Sequence, residues 1–104
     1  MSRDDLNYNA TLVLLALCVG HRYGFDLMRA TELPSGTVYP ILRRLETTGL
    51  VRSRWESETK AHADGRPRRR YYEPSAAGRA ALADALERIN AQRRLLDMPA
   101  PDSP

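Results

Sequence analysis

The stretch Gly65-Arg-Pro-Arg-Arg-Arg70 holds four arginines beside one flexible and one rigid residue. Arginine carries a planar fork of donors that fits phosphate, and it is drawn into narrow minor grooves. Arg66, Arg68, Arg69 and Arg70 are therefore candidate contacts to a polyanion. The charge around them is concentrated. From Arg52 to Arg70 there are seven basic residues and three acids, a local excess of +4 in a chain of formal net charge +3. One basic segment beside a nearly neutral remainder is the footprint expected where nucleic acid is contacted. A solvated basic loop is the bland alternative.

A second candidate surface lies in the run "PSGTVYPILRRLE", residues 34–46. At about 100° per residue, Val38, Ile41, Leu42 and Leu45 fall on one side of a helix. Gly36, Pro40, Arg43 and Thr47 fall opposite, flanked by Thr37, Tyr39 and Arg44. Helix N-terminal amides attract phosphate, and Ser35, Thr37 and the Tyr39 hydroxyl can hydrogen-bond its oxygens. Arg43, central on the outer face, suits bidentate pairing with guanine in the major groove. Pro40 donates no backbone hydrogen bond and crowds the carbonyl four residues back. On the outer face it offers a short, donor-free surface, suited to a thymine methyl. The alternative is a surface helix with ordinary solvated arginines.

These residues need elements to hold them. Asn9 or Thr11 is placed to cap a first helix running to about Val19, with Leu12, Leu15, Ala16 and Val19 on one face and Gly20 ending it. A second short helix is expected from about Tyr23 to Thr31, with Phe25, Leu27 and Met28 as its apolar contacts. Pro34 then breaks the chain, Ser35 caps the third helix and Gly49 closes it. Residues 50–55 alternate, which predicts a half-buried strand with Val51 and Trp55 facing the core. Residues 56–67 read as a polar loop, and Tyr71 and Tyr72 favour a returning strand anchored on the core. Ser75 caps a last helix reaching about Leu96, with Leu82, Leu86, Ile89 and Leu96 in apolar series. Residues 1–8 are expected to be a loose arm.

The order is helix, helix, helix, strand, loop, strand, helix. That predicts a mainly α fold with a two-stranded β-wing, a winged helix-turn-helix whose third helix enters the major groove. The expected division is a DNA-binding part over residues 1–74, a C-terminal helix over 75–96 and a disordered tail over 97–104, where three prolines fall.

Other classes are disfavoured. The chain has 104 residues, 42% hydrophobic and 28% charged, as for one globular domain. The apolar run at 11–19 is too short to span a bilayer, and no secretory signal is evident. Cys18 is the single cysteine and lies in an apolar run, so a buried role and a cytoplasmic location are expected. His21 and His62 stand far apart and beside no cysteine pair, so neither a zinc site nor a cofactor is expected. No nucleophile stands with a base and an orienting acid, which argues against an enzyme.

The assembled motifs resemble the PadR family of bacterial transcriptional regulators. "YGFDLMRAT" at 23–31 is similar to the family's second helix. "SGTVYPILRRLETTGLV" at 35–51 looks like its recognition helix, and "GRPRRRYYEPSAAGRAAL" at 65–82 looks like its wing tip, tyrosine strand and last helix. The resemblance covers about residues 10–85. It implies a homodimeric repressor on a double-stranded, palindromic operator, with recognition helices about 34 Å apart. It also implies that the first and last helices build the dimer interface, here through Leu12, Leu15, Leu82, Leu86, Ile89 and Leu96. The single short last helix is like the family's smaller subgroup. Release by a small aromatic effector is a further implication. The chain departs from the family in a short turn at 32–34, a long wing loop, and Glu73-Pro-Ser before the last helix. It also has no tryptophan in that helix. The rival reading is a winged-helix protein-interaction module without sequence-specific DNA binding.

Overall fold

A computed structural model describes residues 6–99. The arm expected over residues 1–8 and the tail expected over 97–104 therefore lie largely outside the described residues. Within them, Leu6 is buried and Asp97 is still helical.

Helix α1 spans Tyr8–Cys18. Its cap is Asn7, not Asn9 or Thr11. The Asn7 side chain accepts from the Ala10 amide at 2.8 Å, and its carbonyl accepts the Thr11 hydroxyl at 2.8 Å. Asn9 and Thr11 lie inside the helix, where neither can serve as the extended residue a cap requires. Helix α1 buries Ala10, Thr11, Val13, Leu14, Ala16 and Leu17. On the face that periodicity groups together, Ala16 is buried, Leu12 and Leu15 are half-buried and Val19 is exposed. Helix α1 packs against three other helices and one strand, so it is apolar nearly all round, and periodicity cannot choose a face for such a helix. Cys18 is half-buried against the core, and burial pushes its thiol pKa up.

Helix α2 (Gly24–Thr31) and helix α3 (Ser35–Thr47) form the helix-turn-helix. Leu27 of α2 is buried, whereas Phe25 is 61% exposed and contributes nothing to the core. Pro34, rather than Ser35, occupies the cap position of α3. Its carbonyl accepts from the Thr37 and Val38 amides at 2.9 and 3.0 Å, while no side chain caps the end. Proline suits that boundary because it has no amide to leave unsatisfied. Val38, Ile41, Leu42 and Leu45 are the buried residues of α3, as its periodicity predicts. Gly49, at φ 77°, closes the helix: its amide bonds to Glu46 and the Leu50 amide to Leu45.

Strands β1 (Val51–Trp55) and β2 (Arg70–Pro74) pair antiparallel, with Val51 opposite Pro74 and Trp55 opposite Arg70. The segment between them is not the plain loop expected. It contains helix α4 (Glu58–Ala63), capped by Ser57, seated on buried Ala61 and ended at Gly65 with φ 66°. Trp55 is on the same side of β1 as Val51 but 54% exposed, so it is not a core residue. The core covers only the root of the wing, and Trp55 stands four residues beyond it. Tyr72 is buried, and its amide bonds to the Arg22 carbonyl at 2.7 Å, which fastens the wing to the start of α2.

Helix α5 (Ala76–Asp97) starts at Ser75, whose hydroxyl accepts from the Gly78 amide at 3.0 Å and donates to the Gly49 carbonyl at 2.6 Å. Its first turns bury Gly78, Ala81, Leu82 and Ala85. From Asn90 onward its described side chains are exposed, Leu96 at 85%. The described chain measures 69 × 24 × 21 Å with a radius of gyration of 17.0 Å. A compact domain of this length has roughly 13 Å. Helix α5 thus projects from the body. Among the described residues no helix is long and apolar enough to cross a membrane.

Candidate nucleic-acid interface

The exposed side of α3 carries Ser35, Gly36, Tyr39, Pro40, Arg43, Arg44 and Thr47, with Thr37 half-buried. Pro40 sits within α3 without breaking it. Its missing bond is to the Gly36 carbonyl, on the side away from the core. The Thr47 hydroxyl donates to the Arg43 carbonyl at 2.8 Å, which leaves its lone pairs for an incoming donor.

Tyr39 is held by a contact that periodicity does not reveal. A Cβ at Gly24 would lie 2.2 Å from the Tyr39 hydroxyl oxygen, so only glycine lets the phenol rest against the start of α2. The clash is with the end of a mobile side chain. Gly24→Ala is therefore expected to fold with little change in melting temperature, yet to displace Tyr39 and weaken DNA binding. Comparing the thermal melt with anisotropy on labelled DNA separates the two effects.

The wing is tied to α3 by one acid. Glu46 accepts from Arg70 at 3.1 Å and from the Ser53 hydroxyl, while Arg70 Nε donates to Ser53 at 3.0 Å. The strand that carries Arg70 is thereby fixed against the helix that carries Arg43 and Arg44. Arg68 and Arg70 lie over the Trp55 ring at 5.4 and 5.6 Å, and Arg69 lies over Tyr23 at 4.1 Å. Arg68 and Arg70 thus lie over one ring and Arg69 over another.

Arg66 differs from its neighbours. Its guanidinium is bidentate to Glu56, at 2.6 and 2.8 Å, and reaches Asp64 at 3.1 Å. Its donors are engaged inside the wing, so it shapes the tip instead of facing outward. Glu56 is 2% exposed and also accepts from the Tyr71 hydroxyl at 2.8 Å. By residue type Glu56 is only an acid in a basic segment. Its partners lie 10 and 15 residues away, and no local pattern signals them.

The Arg66 hydrogen bonds, reinforced by Tyr71 and the Arg69 amide, hold the Glu56 carboxyl down at about 2, against an ordinary 4.5. A depressed carboxylate stabilises the fold when ionised. Its contribution is complete above about pH 4.5 and is lost as the pH falls toward 2. Amide exchange at the wing tip is expected to be constant from pH 7 to about 5, after correction for intrinsic rates, and to accelerate below 4.5. In Glu56→Gln it should be fast throughout, with no such step.

Among the described residues no cluster of three or more His, Cys, Asp or Glu side chains is arranged to hold a metal. Leu82, expected at a dimer interface, is 7% exposed within this chain's own core, because the first turns of α5 lie on the body. Leu12, Leu15, Leu86 and Ile89 are half-buried, and Leu96 is exposed.

The arrangement recurs in solved structures. A PadR family transcription regulator from Clostridium difficile R20291 superposes with a TM-score of 0.76 at 22% identity, over 88% of this chain and 96% of that one. A transcriptional regulator from Clostridium thermocellum gives 0.72 at 24% identity, over 93% and 95%. BpsR of Bordetella bronchiseptica, whose DNA binding is regulated by 6-hydroxynicotinic acid, gives 0.71 at 20% identity, over 90% and 67%. At these identities the likeness speaks for the fold, a winged helix. A comparison with curated proteins yields no significant match. The family assignment comes from the sequence itself: residues 13–84 match the transcriptional regulator PadR-like family, and the chain belongs to it.

Proposed function

We propose that this protein is a homodimeric repressor that binds a palindromic operator in the cytoplasm and is released by a small aromatic effector. The observation that carries the DNA-binding reading is the ion pair of Glu46 with Arg70, which fixes the arginine-bearing wing against α3. On this reading α3 enters the major groove with Arg43 reading base edges. Ser35, Thr37, Tyr39, Arg44 and Thr47 position it on phosphate, and Gly36 and Pro40 permit close approach. Arg68, Arg69 and Arg70 lie along the adjacent backbone or minor groove, and Arg66 braces them. Residues 1–74 form the DNA-binding part and 75–96 the dimerisation helix.

Dimerisation is supported by the apolar groups left open on one monomer. Leu95 and Leu96 project on α5 beyond the body, and Leu12, Leu15, Leu86 and Ile89 are half-covered. Exposed apolar series of this kind mark association surfaces. The effector is suggested by the regulated DNA binding of the structural neighbour BpsR.

The test is a titration of the protein with labelled DNA from upstream of its own coding region, at several salt concentrations, alongside sedimentation. The expected result is a dimer whose affinity falls steeply with salt, with a log–log slope of about −0.9 per phosphate contacted. A monomer that binds an acidic protein and is not retained on DNA would instead establish the interaction-module reading.

A further inference from the structure

The wing has a second side. Along β1, Arg52 and Arg54 alternate with Ser53 and Trp55. Ser53 meets Glu46 of α3, so Arg54 takes the opposite side, beside its register partner Tyr71. A cleft of about 390 Å³ opens there, turned away from α3. Its size is within the roughly 300–1,000 Å³ of small-molecule sites. Arg22 lines it from the turn before α2, Arg54 from β1 and Lys60 from α4, together with Glu56, Ser57 and Tyr71.

Pairing sets the three cations apart from their neighbours. Arg52 pairs with Glu73, Arg66 with Glu56, Arg68 with Glu58 and Arg70 with Glu46. Arg22, Arg54 and Lys60 are exposed, and none has a carboxylate partner among the described residues. Glu56, the acid in the lining, is bidentate to Arg66 and accepts the Tyr71 hydroxyl, so its charge is neutralised within the wing. A cleft lined by one sign of charge focuses its field and concentrates counter-ions.

The other lining groups narrow the anion. Arg54 lies over the Tyr71 ring at 5.5 Å, and Tyr23 packs T-shaped against the same ring at 6.0 Å. Tyr71 is thus engaged already, and an aromatic ligand finds no free platform. A guanidinium over a ring keeps N–H donors for a second partner. A phosphate monoester matches these donors, with about two negative charges near pH 7 and three acceptor oxygens. Two guanidinium groups and an ammonium give it charge-assisted contacts. The exposed Ser57 hydroxyl accepts the Lys60 amide at 3.2 Å and keeps its proton to donate. A phosphodiester carries a single charge and leaves more of the excess uncompensated.

We propose that this cleft binds a small, non-aromatic phosphate monoester, a sugar or polyol phosphate, and that it does so while DNA is held on the other side of the wing. The site rests on the cleft's own geometry. Its compatibility with DNA rests on the DNA-binding reading above. The occupant bridges the turn before α2, strand β1 and helix α4, and so fastens the wing to the body.

The experiment titrates the nitrogen-labelled protein with glycerol 3-phosphate at low salt. Controls are glycerol, which lacks the anion, and dimethyl phosphate, a singly charged diester. The expected result is sub-millimolar binding, with amide shifts centred on residues 22, 54 and 57–60. Dimethyl phosphate should bind about ten-fold more weakly, and glycerol not at all. Arg22→Ala and Lys60→Ala, both at exposed side chains, should each weaken binding about ten-fold at an unchanged melting temperature. Arg68→Ala, on the α3 side of the wing, should leave it unchanged. Absent shifts at those residues, equal affinity for dimethyl phosphate, or an equal loss in Arg68→Ala would each overturn the proposal. The last would mean general attraction of anions to a basic wing. Labelled upstream DNA is then titrated in saturating glycerol 3-phosphate, where unchanged affinity is expected. Displacement of DNA would place the anion on the α3 side and overturn the proposal. The spectral titration contains no DNA. A protein that binds the monoester but no DNA would overturn the repressor reading, and co-occupancy with it, while the site stands.

Discussion

Arg43→Ala is expected to weaken binding to the operator at least about 30-fold and to relax base preference at one position in each half-site. A bidentate arginine–guanine contact discriminates by about 1–3 kcal/mol. A two-fold dimer makes the contact twice, for about 2–6 kcal/mol in total, and each 1.4 kcal/mol is tenfold. Arg43 is exposed on the outer side of α3, opposite buried Ile41, Leu42 and Leu45, so its loss leaves the core intact. The fold and the melting temperature should not change. Arg68→Ala is the contrasting case. A phosphate contact carries no base preference, so binding should weaken evenly across sequences, with a shallower salt slope. Anisotropy titrations on the parent site and single-base variants, at three salt concentrations, distinguish these patterns. An Arg43→Ala protein with unchanged affinity and preference would remove this residue from the base-reading face.

The recognition helix was legible in sequence because Pro34 and Gly49 bracket it and four apolar residues between them share one side. Its face follows from arithmetic. The wing strands were legible from alternation, but alternation tells only which side a residue takes. It does not tell where the core stops, which is why Trp55 was expected inside and stands outside. Helix α1 is apolar nearly all round, so its pattern offers no face to choose. Helix α4 carried its signals in Ser57 and Gly65, yet six residues are too few for periodicity to register. The Glu56 clasp and the Gly24–Tyr39 contact were illegible for a deeper reason. Each depends on two segments meeting in space, and neither segment alone signals the contact.

The same reasoning sets the last expectation, that Gly78→Ala lowers the melting temperature by about 8–16 °C. A Cβ at position 78 would lie 2.0 Å from the Leu50 carbonyl oxygen and 3.0 Å from its carbon. Both are backbone atoms at the junction of α3 and β1, and the Leu50 carbonyl also accepts the Ser75 amide at 3.0 Å. Nothing there can swing aside as Tyr39 can. Overpacking of this kind costs about 3 kcal/mol. Alanine's better helix propensity returns up to about 1 kcal/mol, leaving a net loss of about 2 kcal/mol. For a domain of about 100 residues, each kcal/mol moves the melting temperature by about 4–8 °C. Gly36→Ala makes the opposite change in stability, because nothing lies within 4 Å of its Cβ position; a gain of about 0.4–1 kcal/mol is expected. Both alanines should nevertheless weaken DNA binding. At 36 the methyl group lies on the exposed side of α3, which the proposed reading turns toward the groove. At 78 the shift carries the wing root and the direction of α5, and with it the helix spacing in the proposed dimer. Thermal melts by circular dichroism, paired with anisotropy on the same samples, test both halves. A Gly78→Ala protein that melts with the parent would show that the α5 junction yields where the geometry says it is closed.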